Sequence, residues 1–174
     1  CQTLAQLSAQ ERASWQFLHL TGVADQEDVE DIYTTFGIRG RVIPHLTEMS
    51  DAYALADVVI ARAGASTIAE LARCGKPAVL IPYPYAAGHQ RNNARLVESL
   101  WGGIRMEEAE ATSQRLRGIL QQLLLDGRLR RMMGLQMRGL AAPEATQQLA
   151  GTITTLAQAH TSAPSGRPHA SPTP

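Results

Sequence analysis

Asp57-Val58-Val59-Ile60-Ala61-Arg62-Ala63-Gly64-Ala65-Ser66-Thr67 opens the stretch that decides the fold. A short run of apolar residues breaks into a glycine-bearing turn. Ser66 to Cys74 then reads as a helix, with Gly75 and Pro77 as its stop. Ala78-Val79-Leu80-Ile81 is a second continuous apolar run, closed by Pro82. The loop from Pro82 to Gln90 leads into another helical segment ending near Leu100. Strands apolar on both faces, alternating with helices, belong to a parallel sheet covered by helices on both sides. The expected class is therefore α/β, a doubly wound parallel sheet with right-handed crossovers.

Working outward, the same alternation continues. Residues 3–14 read as one helix, and Trp15-Gln16-Phe17-Leu18-His19-Leu20 as a strand ended by Gly22. Asp25 to Phe36 reads as a helix, acidic at its start and ended by Gly37. Arg41-Val42-Ile43 is a short strand before Pro44, and a helix follows around Glu48–Ala56. Downstream, Gly103-Ile104-Arg105-Met106 is a last short strand, and the remainder to about residue 159 is helical. From His160 the chain holds Pro164, Pro168, Pro172 and Pro174 among Ser, Thr and Ala. It has too few large apolar groups to pack and reads as a disordered tail. The expected organisation is one domain over 1–159 and a tail over 160–174.

The chain has 174 residues, 44% of them hydrophobic and 18% charged, the balance of a globular domain. Lys plus Arg and Asp plus Glu number 16 each, so no general attraction to nucleic acid is indicated. Cys1 and Cys74 are the two cysteines, which fits neither a disulfide scaffold nor a metal-ligand spacing. A reducing cytoplasm is the default compartment. No apolar run approaches the roughly 18 residues needed to span a bilayer. Arg115, Arg117, Arg128, Arg130, Arg131 and Arg138 make the C-terminal helices basic, which reads as a solvated face, a membrane-surface helix being the rival. Met132, Met133 and Met137 read as core fillers.

Both turns of the central stretch leave the carboxyl ends of parallel strands, where open α/β sheets bind ligands. Gly64 lets the backbone approach a ligand closely. The amides of Ala65, Ser66 and Thr67 are unpaired first-turn donors that, with the helix dipole, suit a diphosphate. The rival reading is an ordinary strand-to-helix turn capped by Ser66 or Thr67. Glu70 lies one turn on from Thr67, placed to accept from two ribose hydroxyls or merely to complement the dipole. His89, Gln90 and Asn93 open the next helix. Their imidazole and amides match sugar hydroxyls, and equally match a capping cluster. Tyr83 and Tyr85 form a wall of the site or fill the loop.

The ordered set Ala56-Asp57, Arg62, Gly64-Ala65, Glu70-Leu71-Ala72, Gly75-Lys76-Pro77, Ile81-Pro82-Tyr83-Pro84 and His89-Gln90 with Asn93-Ala94 resembles the C-terminal domain of the MurG family of glycosyltransferases, family 28. The resemblance covers roughly residues 15–159 and is strongest over 41–94. It implies the Rossmann-like C-terminal half of the two-domain GT-B architecture. The implied reaction transfers N-acetylglucosamine from UDP-GlcNAc to undecaprenyl-diphospho-muramoyl-pentapeptide (lipid I), with inversion, to give lipid II for the cell wall.

By the same resemblance Glu70 binds the ribose, Gly64, Ala65, Ser66 and Thr67 meet the diphosphate and sugar, and Arg62, just before that loop, is a further substrate-binding residue. His89 and Gln90 touch the GlcNAc hydroxyls with Asn93 in support. Leu46 reads the uracil through its backbone while Met49 packs on it. No cofactor and no metal are implied. The family's C-terminal domain also opens with a strand and a Gly-Gly-Ser-type loop that have no counterpart here. In doubly wound order that strand is the central one. The chain thus reads as N-terminally truncated, with the catalytic base and the acceptor site in a missing N-terminal domain that sits peripherally on the inner face of the cell membrane. The rivals are a family relative with another acceptor and a non-catalytic nucleotide-sugar-binding subunit.

Overall fold

The computed structural model describes residues 2–161. In chain order the elements are α1 (Gln2–Ala5), α2 (Ala9–Ser14), β1 (Phe17–Leu20), α3 (Gln26–Phe36), β2 (Gly40–Ile43), α4 (Met49–Leu55), β3 (Val59–Ala61) and α5 (Ala65–Cys74). They continue as β4 (Ala78–Leu80), α6 (His89–Ser99), β5 (Gly103–Arg105), α7 (Ser113–Leu125), α8 (Gly127–Arg138) and α9 (Ala145–Thr161). The alternation expected from the sequence is present throughout. Two units separate by compactness, Cys1–Ala141 and Ala142–Pro174, so the compact unit closes before the expected boundary at 159. Helix α9 belongs to the second unit and runs through Thr161. The rest of the expected tail, 162–174, lies outside the described residues.

All strand pairs are parallel, as the apolar runs require. β1 pairs with β2, and β3, β4 and β5 form a second sheet in that order. Strand β4 shows why its residues are apolar without alternation. Ala78 and Leu80 face a cluster with Tyr53, Leu71, Ala94, Val97 and Met137, while Val79 faces the opposite cluster of Met106, Leu123 and Met133. Successive side chains leave opposite faces of a strand, and here both faces are roofed by helices.

The sheet is interrupted between β1 and β3. Odd-numbered residues of β1 bond to β2, through Phe17 N–H to Arg39 O and Thr21 N–H to Ile43 O. Odd-numbered residues of β3 bond to β4, through Val59 N–H to Pro77 O and Ile81 N–H to Ala61 O. The backbone groups of Leu18, Leu20 and Ile60 therefore point along the open edges. Their side chains are 41%, 39% and 43% exposed, unlike those of β4. The interruption falls where the resemblance puts an additional central strand. Helix α7 ties the two sheets together, because Leu116 packs on the clusters of both and Val58 does the same from the start of β3.

Two sequence expectations need correction. Residues 3–14 are two helices, because Ser8 caps α2 in a reciprocal box. Ser8 Oγ accepts from Glu11 N–H at 3.3 Å, and Ser8 N–H donates to Glu11 Oε2 at 2.6 Å. The stretch after β5 is a 3-10 turn at Glu108–Glu110 and three separate α-helices. Thr112 and Asp126 each accept a first-turn amide and so restart the helix. At the end of α5, Gly75 takes φ +63°, and its carbonyl would lie 2.6 Å from a Cβ on Gly134. Glycine at 134 is what lets α8 come this close.

Glu11 is also the buried acid of the first unit, only 7% exposed. Arg117 Nε reaches both its oxygens at 2.9 and 3.0 Å, and Gln121 Nε2 donates to Oε1 at 2.6 Å. The Arg117 guanidinium, outweighing the burial that opposes it, holds the carboxyl down to about 2. A depressed carboxylate stabilises fully above its unfolded value and loses that contribution as pH falls through its folded value. Glu11→Gln is expected to lower stability at pH 7 by on the order of 2–3 kcal/mol. Urea unfolding should show the gap to wild type narrowing between pH 7 and pH 3.

Candidate functional site

The carboxyl ends of β3 and β4 feed two loops that run into α5 and α6. The first loop ends in Gly64, the N-cap of α5, and no side chain caps that helix. The capping reading of Ser66 and Thr67 thus does not describe this turn. The first-turn amides of Ala65, Ser66 and Thr67 find no acceptor among the described residues, so three N–H donors and the positive end of a ten-residue helix are left free together. Gly64 has φ −66°, which any residue adopts, and a Cβ there would meet only Thr67 Oγ1, at 3.6 Å. Neither backbone strain nor internal packing calls for glycine. Its effect is to leave the space before the helix unobstructed.

Gln90 and Asn93 turn inward rather than capping α6. Gln90 Oε1 accepts from Ala63 N–H at 3.2 Å and from Tyr83 N–H at 2.9 Å. Both partners are donors, so the amide oxygen has to face them, which leaves the Nε2 donors uncommitted. Asn93 Nδ2 donates to Ala63 O at 3.0 Å. One helix thereby holds both loops, and Ala63, completely buried, is gripped through its N–H and its C=O. His89 begins α6 exposed to solvent, its backbone N–H bonded to Ala86 O.

Arg62, expected among the substrate-binding residues, is engaged with the protein itself. Its guanidinium forms an ion pair with Glu108 at 3.2 Å, donates to Ile81 O and Pro82 O, and lies 5.5 Å over the Tyr83 ring. It braces the loop after β4 from above. Tyr83 and Tyr85 meet edge to face at 5.5 Å. Beside them a concavity of about 780 Å³ is lined in part by Arg91, Arg95, Arg105 and Glu107. Burial pushes the Glu107 carboxyl up, but Arg91 and Arg105 outweigh that and hold it below the usual range.

Glu70 is exposed on α5, one turn beyond Thr67, and its Oε2 accepts from Tyr53 Oη at 2.7 Å. Tyr53 was not among the residues singled out from the sequence. The "Asp51-Ala52-Tyr53" segment carries no motif signal beyond an aromatic on an amphipathic helix. Met49, one turn earlier on α4, packs against the same core cluster as Tyr53, and Leu46 is half-buried in the loop before it. Glu70, the α5 amides, His89 and Gln90 thus share the strand ends of one sheet, with Met49 on the helix adjoining α5.

The Gln90 bridge has a direct test. Gln90→Leu removes the acceptor of two amides at once and is expected to cost about 1–3 kcal/mol. Gln90→Glu keeps an oxygen for both and should cost much less. Chemical denaturation of the two variants reads the difference.

Residues 2–149 match the model of the glycosyltransferase family 28 C-terminal domain. A relative from Geobacter metallireducens, named UDP-N-acetylglucosamine--N-acetylmuramyl-(pentapeptide) pyrophosphoryl-undecaprenol N-acetylglucosamine transferase, is 38% identical over 79% of this chain and 38% of its own length. A relative of the same name from Chlorobium luteolum is 39% identical over 90% of this chain and 42% of its own length. The chain spans about two fifths of the length of these curated relatives. Among solved structures, Acinetobacter baumannii MurG superposes with a TM-score of 0.78 at 28% identity, over 88% of this chain and 44% of that one. The glycosyltransferase VinC, solved with dTDP, shares the fold at 16% identity, with a TM-score of 0.65 over 90% of this chain and 36% of its own. With parallel strands, an uncapped helix start at their carboxyl ends and a family match over most of its length, this chain belongs to the glycosyltransferase family 28 C-terminal domain family.

Proposed function

We propose that this chain is the donor-binding half of an inverting N-acetylglucosamine transferase and holds UDP-GlcNAc across the carboxyl ends of β3 and β4. The observation that carries the reading is the Gln90 bridge, which sets the N-terminus of α5 and that of α6 side by side. A nucleotide sugar needs two neighbouring environments, one for anionic phosphate and one for neutral hydroxyls. The free amides of Ala65, Ser66 and Thr67 supply the first, with Gly64 leaving room. The exposed imidazole of His89 and the free Nε2 donors of Gln90 supply the second. Asn93 serves by fixing Ala63 and does not itself reach the sugar.

The remaining parts follow from distance along the chain. Glu70 lies about 4.5 Å along the helix axis from Thr67, a suitable step from diphosphate to ribose. Met49 and the backbone of Leu46 then edge the base. As the sugar departs, negative charge grows on the diphosphate. Fixed amides and the α5 dipole are already oriented toward it and need no reorganisation at that moment. Arg62 contributes indirectly, by bracing the loop that carries Tyr83.

In this reading the acceptor, undecaprenyl-diphospho-muramoyl-pentapeptide, is bound by a partner domain that also supplies the base, working peripherally at the inner face of the cytoplasmic membrane in cell-wall synthesis. The names of the relatives and the share of their length that this chain matches support it. No helix among the described residues is long and apolar enough to cross a membrane.

Calorimetry with UDP-GlcNAc tests the donor site. Glu70→Ala is expected to weaken binding by roughly 1.5–3 kcal/mol, the range for hydrogen bonds to a charged group. Unchanged affinity would remove Glu70 from the site. A second measurement addresses the sugar: in the two-domain enzyme, Gln90→Ala should shift the kcat/KM ratio between UDP-GlcNAc and its C4 epimer.

A further inference from the structure

Tyr53 has a polar atom in an apolar place. The residue is 5% exposed and packed among Leu71, Ala78, Leu80 and Met137, yet its hydroxyl reaches the edge of the cluster and donates to Glu70 Oε2 at 2.7 Å. Glu70 is otherwise a solvent-exposed side chain with three rotatable bonds, and its Oε1 has no partner among the described residues. An unrestrained glutamate of this kind gives up rotamer entropy when a ligand fixes it. A donor anchored in the core removes that loss beforehand, because the tyrosine ring cannot move without disturbing its packing.

We propose that Tyr53 is a positioning residue that sets selectivity for ribose over 2'-deoxyribose, by holding Glu70 through Oε2 so that Oε1 is presented to the vicinal hydroxyls of the nucleotide. The inference rests on the donor-site reading above. The hydroxyl acts as the donor: burial, reinforced by Glu70, pushes the phenol well above its ordinary value. Tyr53 also lies four residues after Met49, on the same side of α4. A single short helix thereby links the base side of the site to the ribose side and sets the spacing between them.

The test compares UDP with 2'-deoxy-UDP, by calorimetry, on the wild-type chain and on Tyr53→Phe. The variant should lose about three- to tenfold in affinity for UDP, the value of one hydrogen bond, and clearly less for 2'-deoxy-UDP, which keeps only the 3'-hydroxyl for Glu70. The ribose preference then falls. A general loosening of the core would weaken both ligands alike and would overturn the proposal, as would an unchanged UDP affinity. Tyr33→Phe removes a comparable hydroxyl from the other cluster, where Tyr33 faces His19 at 3.5 Å, and should alter neither ligand. Should Tyr53→Phe fold poorly, Glu70→Asp draws the carboxylate away from an intact Tyr53 and should lower the same ratio. If Glu70→Ala weakens UDP while Tyr53→Phe does not, the positioning role alone is wrong. If neither change matters, the donor-site reading falls as well.

Discussion

One amide oxygen has an unusual number of consequences in this chain. Gln90 Oε1 accepts from the backbone of two loops that leave different strands. Loops at strand ends have few packing contacts of their own, and without a shared partner they would move independently. Bonded to one side chain on the first turn of α6, they present two helix starts in a fixed relation. Asn93 adds a third bond from the same helix, to the carbonyl of the residue whose N–H Gln90 already holds. The uncapped amides of α5, the Glu70 carboxylate and the His89 imidazole all depend on this arrangement for their mutual placement. The energy involved is a few hydrogen bonds, yet it is spent on geometry rather than on bulk stability.

The charged groups divide into those that hold the fold and those that decorate it. Glu11 with Arg117 and Gln121 is enclosed and joins α2 to α7 across more than a hundred residues of chain. Arg62 with Glu108 and Arg115 with Glu110 are about half exposed, where an ion pair contributes little to stability. Arg62 is still useful, because its guanidinium also stacks on Tyr83 and meets two carbonyls, so its loss would free the loop rather than merely remove a charge. The open edges of β1 and β3 are the other side of this economy. Apolar strand residues at Leu18, Leu20 and Ile60 stand exposed there, along the open edges.

Much was legible in the residues themselves. The unbroken apolar runs at 58–61 and 78–81, the glycine stops at Gly37 and Gly75, and the strand-helix alternation are local signals, readable because side-chain period and turn chemistry act over a few residues. The family motif gave the loop at Gly64, the acid at Glu70 and the pair at His89 and Gln90 before any coordinates. The capping box at Ser8 and Glu11 is also written locally, in a Ser three residues before a Glu. What the chain pattern could not supply were partners. Arg62 reads as a substrate-binding residue, and its counter-ion Glu108, 46 residues away, is invisible along the chain. Gln90 and Asn93 read as sugar contacts or caps, and the bonds that also tie Gln90 Oε1 and Asn93 Nδ2 to Ala63 are invisible along the chain. Tyr53 carried no signal at all, since a tyrosine on the buried side of a helix is ordinary core until its hydroxyl is seen to find an acid.

The sequence by itself therefore determined the element order, the parallel class of the sheet, the family and the types of residue gathered near the strand ends. Each of these follows from spacing along the chain, which tertiary packing does not change. Only the tertiary structure decided that the sheet is interrupted between β1 and β3, that Gln90 binds two loops, and that Glu70 is held from the core by Tyr53. Those facts depend on hydrogen bonds between residues far apart in sequence, whose geometry exists only once the packed helices have fixed where each backbone runs.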